Sequence, residues 1–219
     1  NRVRSFWSGC SVKQSDLSMG DGRELQIWDC SPRAGGHTQA IQSALVQALL
    51  REGVRPLAVS LREYQVWPCQ GCQRCSRGEE CPLAASDACE QLFDLLCAAR
   101  TVCFVAPIYF YHLPAPFKAF IDRSQRVYAQ FERDSSDCMP QADPRPAFAL
   151  LHAGRSRGEH LFAGSILTLR FFLRSFGLVL EDVHTVRGMD GVELHGWPDA
   201  LSQAVHDVAR QMAPFAGRR

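Results

Sequence analysis

The segment TVCFVAPIYFYHLPAPFKAFIDR, residues 101–123, decides the predicted fold. Residues 102–106 are apolar without polar alternation, which is typical of a strand buried on both faces of a parallel sheet. Pro107 ends this strand, and two further prolines in LPAPF suit the first turn of a helix, where a missing N–H group costs nothing. The loop IYFYH, residues 108–112, is therefore expected at the carboxyl end of a central strand, where open α/β sheets bind ligands. The alternative is a plain connection whose aromatic residues only pack.

A second strand, loop and helix unit lies earlier in the chain. The strand ELQIWDC, residues 24–30, leads directly into SPRAGGHT, residues 31–38, and then into apolar residues at helical spacing. A helix N-terminus offers free N–H groups and about half a positive charge, and Ser31, Arg33 and Thr38 add donors. The chain contains neither GxGxxG nor GxxxxGK[ST], so the loop predicts a monophosphate site. An ordinary N-cap and turn is the alternative.

Three further units complete the pattern. Strands are predicted at residues 54–61, 146–152 and 178–186, and helices after Ser86, which is a candidate N-cap, at residues 159–176 and through residues 201–212. Residues 124–146 show no strong periodicity and are predicted to form a long connection. Five such units predict an α/β three-layer sandwich with a five-stranded parallel sheet in the order 2-1-3-4-5. The loop AGRSRG, residues 153–158, then follows the fourth strand at the same sheet edge.

The composition limits the classes of function. A chain of 219 residues with 46% hydrophobic residues can bury one good core, so residues 24–219 are expected to form one domain. A net charge of +1 argues against a nucleic-acid footprint and a strongly basic membrane patch, and no apolar run is long enough for a membrane span. Residues 1–23 contain no apolar signal core and are expected to form an N-terminal extension.

Four of the ten cysteines lie in one loop, residues 67–82, with the sequence WPCQGCQRCSRGEECP. Cys69, Cys72, Cys75 and Cys81 give the spacing C-x2-C-x2-C-x5-C, close to the C-x2-C-x2-C-x3-C-P run of bacterial ferredoxins. Three thiolates at steps of three can hold one face of an iron–sulfur cubane. Zinc sites usually separate two cysteine pairs more widely, so zinc fits less well. Structural or redox-active thiols without metal are the third alternative.

Most of the other cysteines fall within predicted strands and helices. Cys30, Cys89, Cys97 and Cys103 are expected to be small buried residues, and the grouping of the four loop cysteines within thirteen residues is not typical of a disulfide framework. This pattern favours a reducing, cytoplasmic location.

Three segments together resemble a known family. PIYFYHLPAPFKAFIDR is similar to the PVYF…LKAFIDR segment of the flavodoxin-like, FMN-binding NAD(P)H-dependent oxidoreductases, and more narrowly of the iron–sulfur flavoproteins. The resemblance extends to SPRAGGHT and to CQGCQRC, residues 69–75, and covers about residues 24–215. It implies a flavodoxin-like fold, FMN as cofactor, NAD(P)H as co-substrate and a [4Fe–4S] cluster on the four cysteines of the loop.

The resemblance also assigns residues to FMN. The phosphate is expected on Ser31, Arg33, Gly36, His37 and Thr38, and the ring against Pro107, Ile108, Tyr109, Phe110, His112, His152, Ala153, Gly154 and Arg155. The family more often has Asn at the position of His37. Arg155 and Arg157 can meet nicotinamide phosphates or simply be solvated, and His152 can contact flavin or belong to the core. Tyr109 and His112 are candidates for substrate contact, and no residue is assigned as a catalytic acid or base.

Two classes of function follow. The first is a reductase that passes electrons from NAD(P)H to a small acceptor such as a quinone or a flavin. The second is an electron carrier in which ferredoxin reduces the iron–sulfur cluster and the cluster reduces FMN. A redox-sensing or scaffolding protein is a third class. The predicted helix at residues 159–176 is apolar on two faces, which indicates a homodimer or homotetramer.

Overall fold

The computed structural model describes residues 24–134, 144–194 and 196–216. The strands are β1 (Leu25–Asp29), β2 (Leu57–Ser60), β3 (Thr101–Pro107), β4 (Arg145–His152) and β5 (Leu178–Val186). The helices are α1 (His37–Arg51), α2 (Cys89–Ala98), α3 (Ala115–Arg123), α4 (Gln125–Asp134), α5 (Ala163–Arg174) and α6 (Asp199–Met212). Short 3₁₀ turns lie at Leu61–Glu63, Cys75–Arg77 and Ala213–Phe215. The predicted N-terminal extension lies outside the described residues.

The five strands form one parallel sheet in the order β2-β1-β3-β4-β5, so the predicted order 2-1-3-4-5 is confirmed. The central strand β3 pairs with β1 on one side and with β4 on the other. At its carboxyl end Val105 pairs with Asp29, and Pro107 pairs with His152. The loops after β1, β3 and β4 therefore begin side by side at one edge of the sheet.

The core has two layers because alternate residues of each strand face opposite sides of the sheet. All seven residues of β3 are buried, as the unbroken apolar run predicts. Trp28 and Phe104 pack on one face with apolar residues of α2, α3 and α5, whereas Ile27 and Val105 pack on the other face with α1 and α6. This arrangement is the predicted three-layer sandwich.

Aromatic contacts hold the layer that carries α3 and α5. The rings of Trp28 and Phe120 stack with centroids 5.7 Å apart, and those of Phe104 and Phe117 lie 5.4 Å apart. Such pairs add about 0.5–1.5 kcal/mol each beyond the burial of apolar area. They fix α3 against the sheet and so fix the aromatic loop that precedes it.

The structure corrects two of the predicted elements. Residues 125–134 form helix α4 within the segment predicted as a long connection. Most residues of this helix are polar, so the sequence contains few apolar positions there, and the helix packs against the cysteine loop, which is distant in sequence. Helix α2 is not capped by Ser86: its first residue, Cys89, donates its N–H to Asp87 Oδ1 at 3.0 Å.

Several boundaries also differ by a few residues. Strand β2 spans Leu57–Ser60 rather than residues 54–61, and α5 spans Ala163–Arg174 rather than residues 159–176. Within the part of the chain that the structure describes, no helix is long and apolar enough to cross a lipid bilayer.

Candidate functional site

A cleft of about 420 Å³ lies at the carboxyl edge of the sheet, between the loops that follow β1, β3 and β4. The predicted residues that line it are Ser31, Arg33, Gly36, His37, Thr38, Pro107, Ile108, Tyr109, Phe110, His152, Ala153, Gly154 and Arg155. Of the predicted cofactor residues, only His112 lies outside it. The structure therefore brings the three predicted loops into one cleft, while their contacts with FMN stay a prediction.

The loop after β1 leaves the N-terminus of α1 open to the cleft. Gly36 occupies the N-cap position, no side chain caps the helix, and its first turn contains no acidic residue. Gly35 has a φ of +66°, in the left-handed region that favours glycine, and its N–H donates to Gln39 Oε1 at 2.8 Å. An uncapped helix N-terminus with free N–H groups attracts an anion.

A buried ion pair lies beneath this loop. Asp29, the last residue of β1, is fully buried, and its Oδ2 pairs with the guanidinium of Arg62. Its Oδ1 accepts the N–H of Ser31 at 2.9 Å, and Ser31 Oγ accepts the N–H of Arg33 at 3.1 Å. Arg62 also donates to Ser60 Oγ at 3.3 Å. The Asp29 carboxylate therefore holds the first turn of the loop in place.

Two histidines lie at the wall of the cleft. His152 ends β4 and is 6% exposed, and its Nε2 shares a hydrogen bond of 2.9 Å with Thr38 Oγ1. Burial, and secondly the charge of His37, lower the pKa of His152 to about 4, so its imidazole is neutral near pH 7. His37 Nδ1 is buried and has no hydrogen-bond partner among the described residues. The cleft thus contains an uncharged imidazole and a nitrogen free to bind a ligand.

The aromatic loop after β3 folds into a tight, strained turn. Tyr109 and His112 exchange backbone hydrogen bonds of 2.8 and 3.0 Å across it. Phe110 and Tyr111, between them, have φ values of +49° and +65°, which bulky residues rarely adopt. The Phe110 side chain is fully exposed at the tip, and the Arg155 guanidinium lies 5.5 Å from the centre of the Tyr111 ring. The turn therefore presents aromatic rings at the cleft at a cost in backbone strain.

His112 has a different place from the one predicted for it. Its Nε2 lies 3.2 Å from Thr168 Oγ1 of helix α5, and a Cβ on Gly164 would stand 3.4 Å from its ring. Burial, and secondly Lys118, lower the pKa of His112. These contacts connect the aromatic turn to α5.

Four further residues line the cleft that the sequence analysis did not assign: Tyr111, Leu161, Met189 and Asp190. Met189 and Asp190 follow β5, whose carboxyl end lies at the same edge of the sheet. The parallel topology could therefore have predicted that they line the cleft. A Cβ on Gly154 would stand 2.0 Å from Asp190 Oδ1, so a side chain at this position would displace the Asp190 carboxylate. Arg157 is exposed and is not part of the cleft wall.

The four cysteines of the loop line a second cavity, of about 110 Å³. Cys69 and Cys72 are exposed, and Cys75 and Cys81 are half-buried. Within the described residues, no three His, Cys, Asp or Glu side chains are grouped as they would be around a single metal ion. The four cysteines therefore line one cavity, but they are not arranged around a single metal ion.

A second buried ion pair lies against this cavity. Arg123 lines it, and the Arg123 side chain pairs with Asp87; their side chains are 1% and 0% exposed. Asp122, the neighbour of Arg123 in sequence, pairs with Lys118. Burial would raise the pKa of Asp87, but hydrogen bonds from Trp67, Arg123 and Cys89 together lower it. The Asp87 carboxylate thus holds both ends of the segment that carries the cysteines.

The cysteines outside the loop follow the prediction in part. Cys30, Cys89 and Cys103 are buried and free, as expected. Burial raises the pKa of each of these three thiols, to about 12 for Cys89 and Cys103, so they are neutral. Cys97 is half-buried and disulfide-bonded, so the expectation that it is a small buried core residue is wrong for this cysteine.

Solved structures show the same fold. One is an FMN-dependent NADH-azoreductase from Bacillus anthracis in complex with FMN, with a TM-score of 0.62 and 10% identity over 86% of this chain and 98% of that one. Another is an NAD(P)H:quinone oxidoreductase from Methanothermobacter marburgensis, with a TM-score of 0.61 and 17% identity over 85% of this chain and 96% of that one. At these identities the likeness concerns the fold.

Sequence comparison is more specific. An iron–sulfur flavoprotein of Methanocaldococcus jannaschii is 28% identical over 102 residues, which are 47% of this chain and 52% of the relative. The chain thus spans about half the length of the curated relatives it matches. Residues 25–160, more than half of the chain, match the family of NADPH-dependent FMN reductases. The resemblance inferred from the sequence is therefore confirmed, and the chain belongs to the NADPH-dependent FMN reductase family.

Proposed function

We propose that this protein is an FMN-dependent oxidoreductase that passes electrons from NAD(P)H to a small acceptor such as a quinone or a free flavin. The observation that carries the proposal is the single cleft, in which an uncapped helix N-terminus, an aromatic turn and a glycine-containing loop meet. Its volume of about 420 Å³ falls within the range of small-molecule sites. The names of the solved structures with this fold agree with both FMN and NAD(P)H.

The cleft residues fit the two ends of FMN. The N–H groups at the start of α1, with Ser31, Arg33 and Thr38, supply donors for a phosphate dianion, and the unpartnered His37 Nδ1 gives one more polar contact. The aromatic turn and the loop at Gly154 supply apolar and backbone surface for a flat ring system. When bound, FMN accepts a hydride as two electrons and can release electrons singly.

The protein's own residues then bind, orient and shield. The neutral His152 keeps Thr38 in place without adding a charge to the cleft. Tyr109, which is 45% exposed at the cleft, is a candidate for contact with the acceptor, and His112 contacts α5. Arg155 stands at the rim over Tyr111, where it can meet a nicotinamide phosphate or remain solvated.

A second function is favoured by the cysteine cavity. In this alternative, ferredoxin or a similar partner reduces a [4Fe–4S] cluster, which then reduces FMN. The four thiols line one cavity, and their spacing is closer to that of cysteines that hold a cluster of several irons than to that of a zinc site. The similarity to an iron–sulfur flavoprotein supports the same alternative.

We also propose that the protein assembles with itself as a dimer or tetramer. Helix α5 leaves Leu167 and Phe171 at its surface, 56% and 61% exposed, and Phe110 is exposed at the aromatic turn. A folded monomer seldom leaves such side chains grouped in water. Light scattering during size-exclusion chromatography measures the assembly directly.

Anaerobic purification followed by spectroscopy tests these proposals. We expect flavin absorption bands, and NADPH should bleach them in the absence of any partner protein. Bleaching by reduced ferredoxin but not by NADPH would replace the reductase with the electron carrier. A colourless protein that also fails to bind FMN supplied in excess would overturn both.

A further inference from the structure

The buried guanidinium of Arg123 is only partly used by the rest of the protein. Its Nη1 donates to the carbonyl oxygen of Trp67 at 3.1 Å and to Asp87 Oδ2. Its Nε and Nη2 are buried and have no hydrogen-bond partner among the described residues. Leaving a charged donor buried and unpaired costs free energy, so these groups call for an acceptor that binds there.

Asp87 cannot supply that acceptor. Its Oδ2 accepts hydrogen bonds from Arg123 Nη1 and from the N–H of Trp67 at 2.8 Å, and its Oδ1 accepts the N–H of Cys89 at 3.0 Å. The carboxylate is therefore occupied in holding the two ends of the cysteine segment. The remaining donors of Arg123 belong to a side chain that lines the cavity of Cys69, Cys72, Cys75 and Cys81.

We propose that Arg123 donates hydrogen bonds from Nε and Nη2 to sulfur atoms of the cluster held by these four cysteines, and that these bonds raise the reduction potential of that cluster. The proposal rests on the iron–sulfur alternative above. A [4Fe–4S] centre with four thiolate ligands is an anion, and it gains one more negative charge when it takes up one electron. Hydrogen bonds and a nearby cation stabilise the more negative form more strongly. Arg123 therefore makes the cluster easier to reduce.

Arg126 provides a matched control. It lines the same cavity and carries the same charge, but both ends of its guanidinium are engaged by Glu90, with Nε 2.8 Å from Oε1. Its loss removes a cation from the wall without removing a donor that is both buried and unpaired among the described residues. Arg123→Lys does the opposite, since it keeps the charge beside Asp87 and removes the planar donors.

The test begins with iron and acid-labile sulfide in the wild-type protein purified without air. Their absence would reject the cluster itself, whatever Arg123 does. With the cluster present, redox titration followed by electron paramagnetic resonance measures its midpoint potential. We expect a more negative midpoint for Arg123→Lys at unchanged iron content, and a smaller negative shift for Arg126→Gln, in which only a cation of the wall is lost.

Two results would overturn the role of Arg123. One is an unchanged midpoint in Arg123→Lys with a full complement of iron. The other is an equal shift in Arg126→Gln, which would mean that charge alone matters. If Arg123→Lys does not fold, the double variant Asp87→Asn/Arg123→Gln removes both charges of the buried pair, and the same negative shift is expected in it. Circular dichroism verifies that each variant is folded.

Discussion

The cleft and the cysteine cavity are each built over a buried pair of an aspartate and an arginine. Asp29 and Arg62 lie beneath the loop at the start of α1, and Asp87 and Arg123 lie against the cysteine loop. In both pairs the carboxylate accepts backbone N–H groups and so fixes a loop that has little regular structure of its own. The two arginines differ in whether buried N–H groups of the guanidinium lack a hydrogen-bond partner among the described residues.

This difference separates a supporting role from a binding role. Arg62 uses one end of its guanidinium on Asp29 and the other on Ser60, and the donors facing the cleft come instead from the backbone of α1 and from Arg33. Among the described residues, Arg123 keeps two donors without a partner, and its side chain lines the cavity. A buried pair can therefore either position a site from below or form part of it.

The largest expected effect comes from breaking the pair under the cleft. Arg62→Gln leaves the fully buried Asp29 carboxylate without its cation, and we expect the free energy of unfolding to fall by about 3–5 kcal/mol. The double variant Asp29→Asn/Arg62→Gln removes both charges and should recover much of this loss. Urea unfolding measures both values.

The exposed pair between Arg100 and Glu24 serves as the control for that experiment. Its atoms lie 3.4 Å apart at the surface, so Arg100→Gln should cost less than about 1 kcal/mol. Equal losses for Arg62→Gln and Arg100→Gln would show that the Asp29 pair does not support the loop.

The two sites should also differ in their response to acid. The pKa of His152 is about 4 in the folded protein, against an ordinary value of about 6.5, so between these values only the unfolded chain binds the proton. The free energy of unfolding should therefore fall by about 3 kcal/mol as the pH drops from 6.5 to 4. The lowered pKa of Asp87 affects the free energy of unfolding only at more acidic pH. Its stabilising contribution is kept until the pH falls below the ordinary pKa of 3.8.

Urea unfolding at pH 7, 5.5 and 4.5 measures this window. His152→Gln should flatten the dependence on pH, and Asp87→Asn should leave its slope unchanged. An unaltered slope in His152→Gln would place the acid sensitivity elsewhere.

A smaller effect is expected at the ligand side of the cleft. Arg33 lines the cleft beside the free N–H groups of α1, and a charge-assisted hydrogen bond to phosphate contributes about 1.5–3 kcal/mol. Arg33→Ala should therefore weaken FMN binding by about ten- to a hundredfold and leave riboflavin binding unchanged, as measured by flavin fluorescence quenching. Arg157→Ala, at an exposed arginine outside the cleft, is the control. An equal loss of riboflavin affinity would show that Arg33 does not act by binding the phosphate.

Sequence patterns predicted the scaffold because they are local. The apolar run of β3 and the helical spacing after it specify a buried strand and its helix, and parallel topology then places the loops after β1, β3 and β4 at one edge. This reasoning found nearly the whole cleft.

The buried pairs were not predictable in the same way. Arg62 lies 33 residues from Asp29, and Arg123 lies 36 residues from Asp87, and no periodicity connects such positions. Contacts between distant segments decide these pairs, and they leave no local pattern in the sequence. Helix α4 was missed because most of its residues are polar, and it packs on the cysteine loop and pairs Arg126 with Glu90.

The smallest expected effect concerns backbone strain, in which the two sites also differ. The cysteine loop has left-handed φ values at Gly71, Gly78 and Gln73, whereas the turn at the cleft has them at Phe110 and Tyr111. Because the Phe110 side chain is fully exposed, Phe110→Gly loses no burial and relieves a cost of about 1 kcal/mol, part of which is offset by the greater freedom of glycine in the unfolded chain. Urea unfolding at low protein concentration should therefore show an unchanged or slightly raised stability. A clear loss would mean that the aromatic tip packs against something in solution, and a dependence of that loss on protein concentration would identify a second copy of the chain.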